Sequence, residues 1–397
     1  MIEYNPFSRP VYVMLKPAGS RCNLSCRYCY YLEKGRYYDE TGGFCMSDEL
    51  LDLFTRQYIE AQTAPEVLFT WHGGEPLLRP LSFYRRALSL QRRYGRGRRI
   101  DNCLQTNGTL ITEEWCRFFR DNGFLVGVSI DGPERFHDAC RGKSFSRVMR
   151  GIELLERHGV EWNAMAVVNS VNVGSPLEFY RFFKSIGCCY LQFTPVVERT
   201  SVTGSGTLMP GMAEGGEVTK LSVSPEEWGA FLCALFDDWV RRDVGSMFVQ
   251  LFDATLANWA GVPPGICSLA PVCGQAAAME FNGDLYSCDH FVFPEYRLGN
   301  IRHDTVTGMM YSRRQTAFGQ RKRTALPRQC QECRWLFACN GECPKNRFVR
   351  DRYGNPGLNW LCGGYHRFFS HAAPYMDFMK AELDAGRAPA NVMGWRP

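Results

Sequence analysis

Between residues 11 and 194 the chain alternates short strand-like segments with helix-patterned ones, and this alternation limits the fold more than any other feature. Strand candidates fall at 11–15, 66–72, 100–106, 124–130, 161–168 and 189–194. Helical periodicity fills the gaps. Ser47 caps a helix with Leu50, Leu51, Phe54 and Tyr58 on one face, and further helices fit 81–94, 112–122, 145–158 and 176–187. Strands separated by helices imply an α/β fold with a parallel sheet and right-handed crossovers. The pattern stops after the sixth run, so a partial (β/α)6 TIM-type barrel is expected rather than a closed eight-stranded one. Function should then sit at the carboxyl ends of the strands.

Cysteine is the second constraint. The chain has 18, most of them in tight clusters. The opening stretch MIEYNPFSRP lacks the basic start, apolar core and cleavage site of a secretory signal, and no run is long enough to span a bilayer. A reducing, cytoplasmic setting is therefore expected. There disulfides are rare, and soft thiolates hold zinc or iron–sulfur centres. Cys45, Cys103, Cys116, Cys140, Cys188, Cys189 and Cys233 lie outside the clusters among mostly apolar neighbours and read as packing residues. A net charge of +5 is too small to argue for nucleic acid. The basic run Arg92, Arg93, Arg96, Arg98 and Arg99 reads as a solvated helix end.

Cys22, Cys26 and Cys29 stand in RCNLSCRYCYY, on a loop after the first strand. By spacing alone they suit three ligands of a zinc site, which usually wants a fourth, or three ligands of a four-iron cube with one iron open. The run GGEP, residues 73–76, follows the second strand. Gly73 and Gly74 let backbone approach a neighbour closely, and Glu75 can fix the turn or accept from an amino group. Later strand ends carry Asn107 and Gly108 in QTNG, Ser129 and Asp131 in SIDG, and then Arg141 in ACRGKSF. Each of these is also an ordinary strand-end or turn residue.

Ser224, Pro225 and Glu227 make a capped helix start. Trp228, Phe231, Leu232, Leu235, Phe236 and Trp239 line one face of that helix. From about Gly265 the chain turns to short segments, glycine turns and dense cysteine, as in a small domain held together by metal. Cys267, Cys273, Cys288, Cys330, Cys333, Cys339, Cys343 and Cys362 are enough for two fully ligated four-iron clusters, with zinc the competing occupant. Residues 374–383 read as an amphipathic helix. The expected divisions are 1–223 for the barrel, 224–264 for a linking helical segment, 265–366 for the cysteine-rich domain and 367–397 for a terminal helix and tail.

RCNLSCRYCYY, with GGEP after the second strand, resembles the signature of the radical S-adenosylmethionine (SAM) enzymes. The spacing from Cys273 through Gly283 to Cys288, then C-x2-C-x5-C-x3-C and a last cysteine, resembles the auxiliary-cluster domain called SPASM. The segment CDHFVFPEYRLGNI is similar to the anaerobic sulfatase-maturating enzymes, and this resemblance runs from about residue 11 to residue 365.

The resemblance implies three [4Fe-4S] clusters: an open one on Cys22, Cys26 and Cys29, one on Cys267, Cys273, Cys288 and Cys343, and one on Cys330, Cys333, Cys339 and Cys362. SAM would meet Tyr28, Gly73, Gly74, Glu75, Asn107, Ser129, Asp131, Arg141 and Val223. Arginine suits its carboxylate because the guanidinium offers a rigid fork of donors. Asp289 is implied as general base, with His290 as the lesser alternative. His72 stands where some relatives carry glutamine. The implied reaction oxidises a cysteine or serine to Cα-formylglycine in a sulfatase bearing Cys/Ser-x-Pro-x-Arg, with a flavodoxin- or ferredoxin-type reductant. The alternative is another SPASM-type peptide maturase, such as a thioether-forming enzyme. Cysteine and serine are not distinguished, because both start from the same β-hydrogen.

Overall fold

The computed structural model describes residues 10–38, 43–200 and 216–396. All six expected strands form, as Tyr12–Leu15, Glu66–Trp71, Arg99–Thr106, Phe124–Ser129, Trp162–Val168 and Tyr190–Pro195. The chain makes two compact units. One comprises Met1–Ser129, Ser144–Trp162 and Cys273–Arg321; the other comprises Ile130–Lys143, Asn163–Val272 and Lys322–Pro397. Among the described residues no helix is long and apolar enough to cross a membrane.

In the first unit the strands Tyr12–Leu15, Glu66–Trp71, Arg99–Thr106 and Phe124–Ser129 lie side by side in that order, all parallel. Alternate residues Val67, Phe69 and Trp71 are buried, as expected where one face of a strand meets helices. The helix Asp48–Glu60 begins at Ser47, whose hydroxyl accepts from Leu50 N at 3.2 Å. It stacks Phe54 and Tyr58 on the sheet, where Tyr58 meets Phe69 edge-to-face. The sheet does not end at Tyr12–Leu15. Ala276–Met279 runs parallel along its outer edge, followed by antiparallel Asp284–Tyr286 and Arg297–Asn300. The sheet is therefore mixed, and the segment carrying Cys288 and Asp289 is anchored to it. The sequence reading missed this extension because AAAM carries none of the β-branched or aromatic residues that mark strands.

In the second unit Trp162–Val168 and Tyr190–Pro195 pair in parallel, and the two-residue strand Phe248–Val249 extends them. The helix Pro225–Arg242 has the expected capping box, with Ser224 Oγ accepting from Glu227 N at 3.2 Å and Ser224 N donating to Glu227 Oε2 at 3.0 Å. It lies against a longer helix than expected, Cys362–Asp384, which runs through Pro374. Glycines allow their close approach: a Cβ on Gly364 would lie 2.4 Å from Pro225 O. Phe236, Phe252 and Phe368 fill the space behind. The glycine-rich stretch 201–215 lies outside the described residues.

Candidate functional site

The cysteine loop of the first unit is tied to the strand ends around it. Gly74 N donates to Gly19 O and Glu75 N to Arg21 O, both at 2.8 Å. A Cβ on Gly74 would fall 2.0 Å from Arg21 O, so only glycine fits there. Gly73 takes a φ of +124°, a backbone conformation open to glycine. In the structure this pair packs closely against residues 19–21 of the chain itself.

Glu75 is fully buried, and its carboxylate accepts from Leu77 N at 2.9 Å and from Thr106 Oγ1 and Asn107 N at 2.8 Å. Burial pushes its pKa up to about 7 against these hydrogen bonds. Of its two expected roles, fixing the turn is the one these contacts serve. Asn107 carries the tie onward. Its Nδ2 donates to Asn23 Oδ1 at 2.8 Å and approaches Cys22 Sγ at 3.6 Å, while its Oδ1 accepts from Thr109. Leu24 N also points at Cys22 Sγ, at 3.4 Å, and Cys29 N closes a turn on Cys26 O. Tyr28 lies on that turn, half-buried. Ser129 Oγ, at the end of its strand, accepts from Gln105 Nε2 at 3.0 Å.

Asp289 begins a short 3-10 turn just after Cys288. One of its oxygens accepts from Lys16 Nζ and the other from Tyr30 OH. Burial by itself would raise this carboxyl. The charge of Lys16 instead holds it well below the usual carboxylate range. Burial lowers the pKa of His72, whose Nδ1 accepts from Gly73 N at 2.8 Å. A neutral ring that accepts at Nδ1 keeps its proton on Nε2. His290 packs beside Tyr30, with ring centroids 5.1 Å apart. Neither Lys16 nor Tyr30 was singled out from sequence. The available signal was Lys16 itself, a cation at the carboxyl end of an apolar strand. Gln315 was also missed. It is buried, and its Nε2 donates to Gly274 O at 2.9 Å and Ser287 O at 3.0 Å, joining the backbone beside Cys273 to that beside Cys288.

In the second unit Asp131 is fully buried. It accepts from Arg141 Nε at 2.9 Å and Val167 N at 3.0 Å. Its visible work is to orient Arg141. His137, on the same helix as Arg141, is held neutral to about pH 4 by burial and by that guanidinium. Val223 is buried, and its carbonyl accepts from Trp360 Nε1 at 2.9 Å. Cys330, Cys333, Cys339 and Cys362 line one cavity of about 530 Å³, together with Trp335, Tyr365 and Phe369. These are the four cysteines expected to form one ligand set, and Cys343 is not among the lining residues. Trp335 N points at Cys333 Sγ at 3.4 Å, the same i+2 arrangement as Leu24 on Cys22. Of the other expected set, Cys267 and Cys343 belong to this unit, and Cys273 and Cys288 to the first.

All 18 cysteines are free of disulfides. Among the described residues no three Cys, His, Asp or Glu side chains are gathered to hold a single metal ion. A four-iron cube takes its thiolates on separate iron atoms, so wider spacing suits it. Unbridged thiols, N–H donors aimed at sulfur and a four-cysteine cavity fit iron–sulfur clusters. Hydrogen bonds to the sulfurs are also a recognised control on cluster potential.

Comparisons with known proteins agree with this geometry. Residues 17–183 match the model of the radical SAM superfamily, and residues 267–334 match that of the SPASM iron–sulfur cluster-binding domain. A serine-type anaerobic sulfatase-maturating enzyme of Bacteroides thetaiotaomicron is 61% identical over 98% of this chain and 96% of its own length. A cysteine-type anaerobic sulfatase-maturating enzyme of Clostridium perfringens is 32% identical over 92% of this chain and 97% of its own. Among solved structures, native anSMEcpe with bound AdoMet and Cp18Cys peptide superposes with a TM-score of 0.83 at 29% identity, covering 94% of this chain and 100% of that one.

Proposed function

This chain belongs to the anaerobic sulfatase-maturating enzymes of the radical SAM superfamily, and from that premise we infer that it oxidises a serine of a sulfatase polypeptide to Cα-formylglycine without oxygen. Serine is favoured because identity to the serine-type relative is 61%, against 32% to the cysteine-type one. The single observation that carries the site is the Tyr30–Asp289 hydrogen bond. Tyr30 follows Cys29 and Asp289 follows Cys288, so one contact joins the first cysteine loop to the auxiliary cysteine segment within the first unit.

Turning a serine CH2–OH into an aldehyde removes one hydrogen atom from carbon, one proton from oxygen and one electron. When bound, SAM and three [4Fe-4S] clusters supply a 5′-deoxyadenosyl radical for the hydrogen atom and an acceptor for the electron. Cys22, Cys26 and Cys29 would hold the open cluster, Cys267, Cys273, Cys288 and Cys343 a second, and Cys330, Cys333, Cys339 and Cys362 a third. Gly73, Gly74, Asn107, Ser129, Tyr28 and Val223 would line the SAM site. Arg141, set by Asp131, would grip its carboxylate, and Glu75 would act through the turn it fixes.

The proton is the chain's own task. Asp289 takes it from the target hydroxyl as general base, and neutral His72 offers an Nε2–H to the same oxygen. His290 serves as a neighbour that helps keep Asp289 charged. The peptide partner would carry Ser-x-Pro-x-Arg, a flavodoxin or ferredoxin would supply reducing electrons, and the setting would be the cytoplasm.

The test is an anaerobic incubation of the iron-loaded protein with SAM, a reductant and matched serine and cysteine peptides, read by mass spectrometry. The expected result is a serine peptide lighter by two hydrogens, with one 5′-deoxyadenosine per product. Conversion of the cysteine peptide alone would overturn the serine assignment. Deoxyadenosine with neither peptide changed would overturn the maturase reading.

A further inference from the structure

Lys16 is a lysine with no exposed surface, and burying an ammonium is expensive unless something answers its charge. Its place is closely set. Lys16 N donates to Met279 O at 2.9 Å, and its Cβ lies 3.3 Å from where a Cβ on Gly73 would stand. Its ammonium rests 3.4 Å from the centroid of the Tyr31 ring and bonds Asp289 Oδ1. A second buried carboxyl lies near, Glu280, which accepts from Tyr31 OH. Burial raises Glu280 to about 7 even with Lys16 opposing, so near neutral pH much of it is uncharged and leaves the ammonium to Asp289. The other Asp289 oxygen accepts from Tyr30 OH. A carboxylate has about four lone-pair sites. Lys16 and Tyr30 use one on each oxygen, which leaves the remaining ones open to substrate.

We infer that Lys16 and Tyr30 are positioning residues for the formylglycine reaction, holding the Asp289 carboxylate by both oxygens in the one orientation from which it meets the target hydroxyl. This rests on the reading of Asp289 as the general base. Neither residue touches the reacting atoms; both act through Asp289. A misplaced base leaves hydrogen-atom removal intact and slows the proton transfer that completes oxidation. The damage should therefore show as uncoupling, with deoxyadenosine formed and little aldehyde following.

The experiment compares Tyr30→Phe, Lys16→Met, Lys16→Arg and Asp289→Asn in the iron-loaded full chain, each checked for wild-type iron content and peptide KM. Tyr30→Phe should lower formylglycine per deoxyadenosine about 10-fold, the loss expected for one hydrogen bond to a charged group. Lys16→Met should lower it further, and Lys16→Arg, which keeps the charge, should recover much of the loss. Tyr30→Phe and Lys16→Met proteins with a wild-type ratio would overturn the inference, as would a Lys16→Arg protein no better than Lys16→Met. If Lys16→Met does not fold, Tyr30→Phe and Lys16→Arg still decide. Asp289→Asn separates the two layers: full coupling in that variant overturns the base itself. Lost coupling in Asp289→Asn beside intact coupling in the others overturns the positioning role alone.

Discussion

The cysteine loop of the first unit and the cysteine cavity of the second are built on opposite plans. Cys22, Cys26 and Cys29 sit on a loop fixed by backbone bonds from Gly74 to Gly19 and from Glu75 to Arg21, and by a side-chain bond from Asn107 to Asn23. Cys330, Cys333, Cys339 and Cys362 line a cavity walled by Trp335, Tyr365 and Phe369. By the proposed assignment the loop would supply three thiols and leave a coordination place for a ligand, and the cavity would supply four and leave none. Polar, backbone-fixed surroundings suit a cluster that must bind a charged cosubstrate. The cavity wall mixes these rings with Glu332, Arg334, Arg352 and His366, and such surroundings are among the levers that set cluster potential. On the proposed function, the two regions would divide the work into making a radical and removing an electron.

Substitutions should separate the two halves of that division. The largest effect is expected from Cys26→Ala, which should abolish 5′-deoxyadenosine as measured by chromatography, because the open cluster loses one of three ligands. Cys330→Ala should instead leave deoxyadenosine formation running while most formylglycine is lost. Equal loss of both products in the two variants would break the comparison. Asp289→Asn should retain deoxyadenosine and lower formylglycine by about 10²-fold, the usual scale for a general base.

Gly74→Ala drives a Cβ into Arg21 O and should cost about 2–3 kcal/mol of stability, read as a lowered Tm, as overpacking does. The most gradual effect is a pH slope. Glu75 is raised from 4.5 to about 7 by burial, so the folded state holds a proton that the unfolded state releases first. Stability of the cluster-free protein should therefore fall as pH rises through that window, by roughly 3 kcal/mol. Glu75→Gln should flatten the slope in denaturant melts at stepped pH. Glu280, also raised to about 7, contributes with the same sign.

The six strands were legible in sequence because each is a short segment carrying apolar residues between helix-patterned stretches, and the Ser224 cap because its box is local. The strands Phe248–Val249 and Ala276–Met279 were not, one being two residues long and the other mostly alanine. The site divided the same way. Cys22, Cys26, Cys29, GGEP and Asp289 stand in compact motifs. The grip on Asp289 does not: Lys16 lies 273 positions away and Tyr30 lies 259. The Ala276–Met279 strand, pairing beside Tyr12–Leu15, helps bring these segments together. Lys16 was not singled out, because its place at the end of an apolar strand does not by itself name a partner so far along the chain.

The most direct test uses a serine peptide carrying two deuteriums on the target β-carbon. The iron-loaded protein would turn it over anaerobically, with the isotope content of 5′-deoxyadenosine followed by mass spectrometry. The account predicts one deuterium in deoxyadenosine for each formylglycine formed, with the second retained on the aldehyde carbon. Unlabelled deoxyadenosine beside labelled formylglycine would contradict it, because the β-hydrogen would then leave by a route other than the radical.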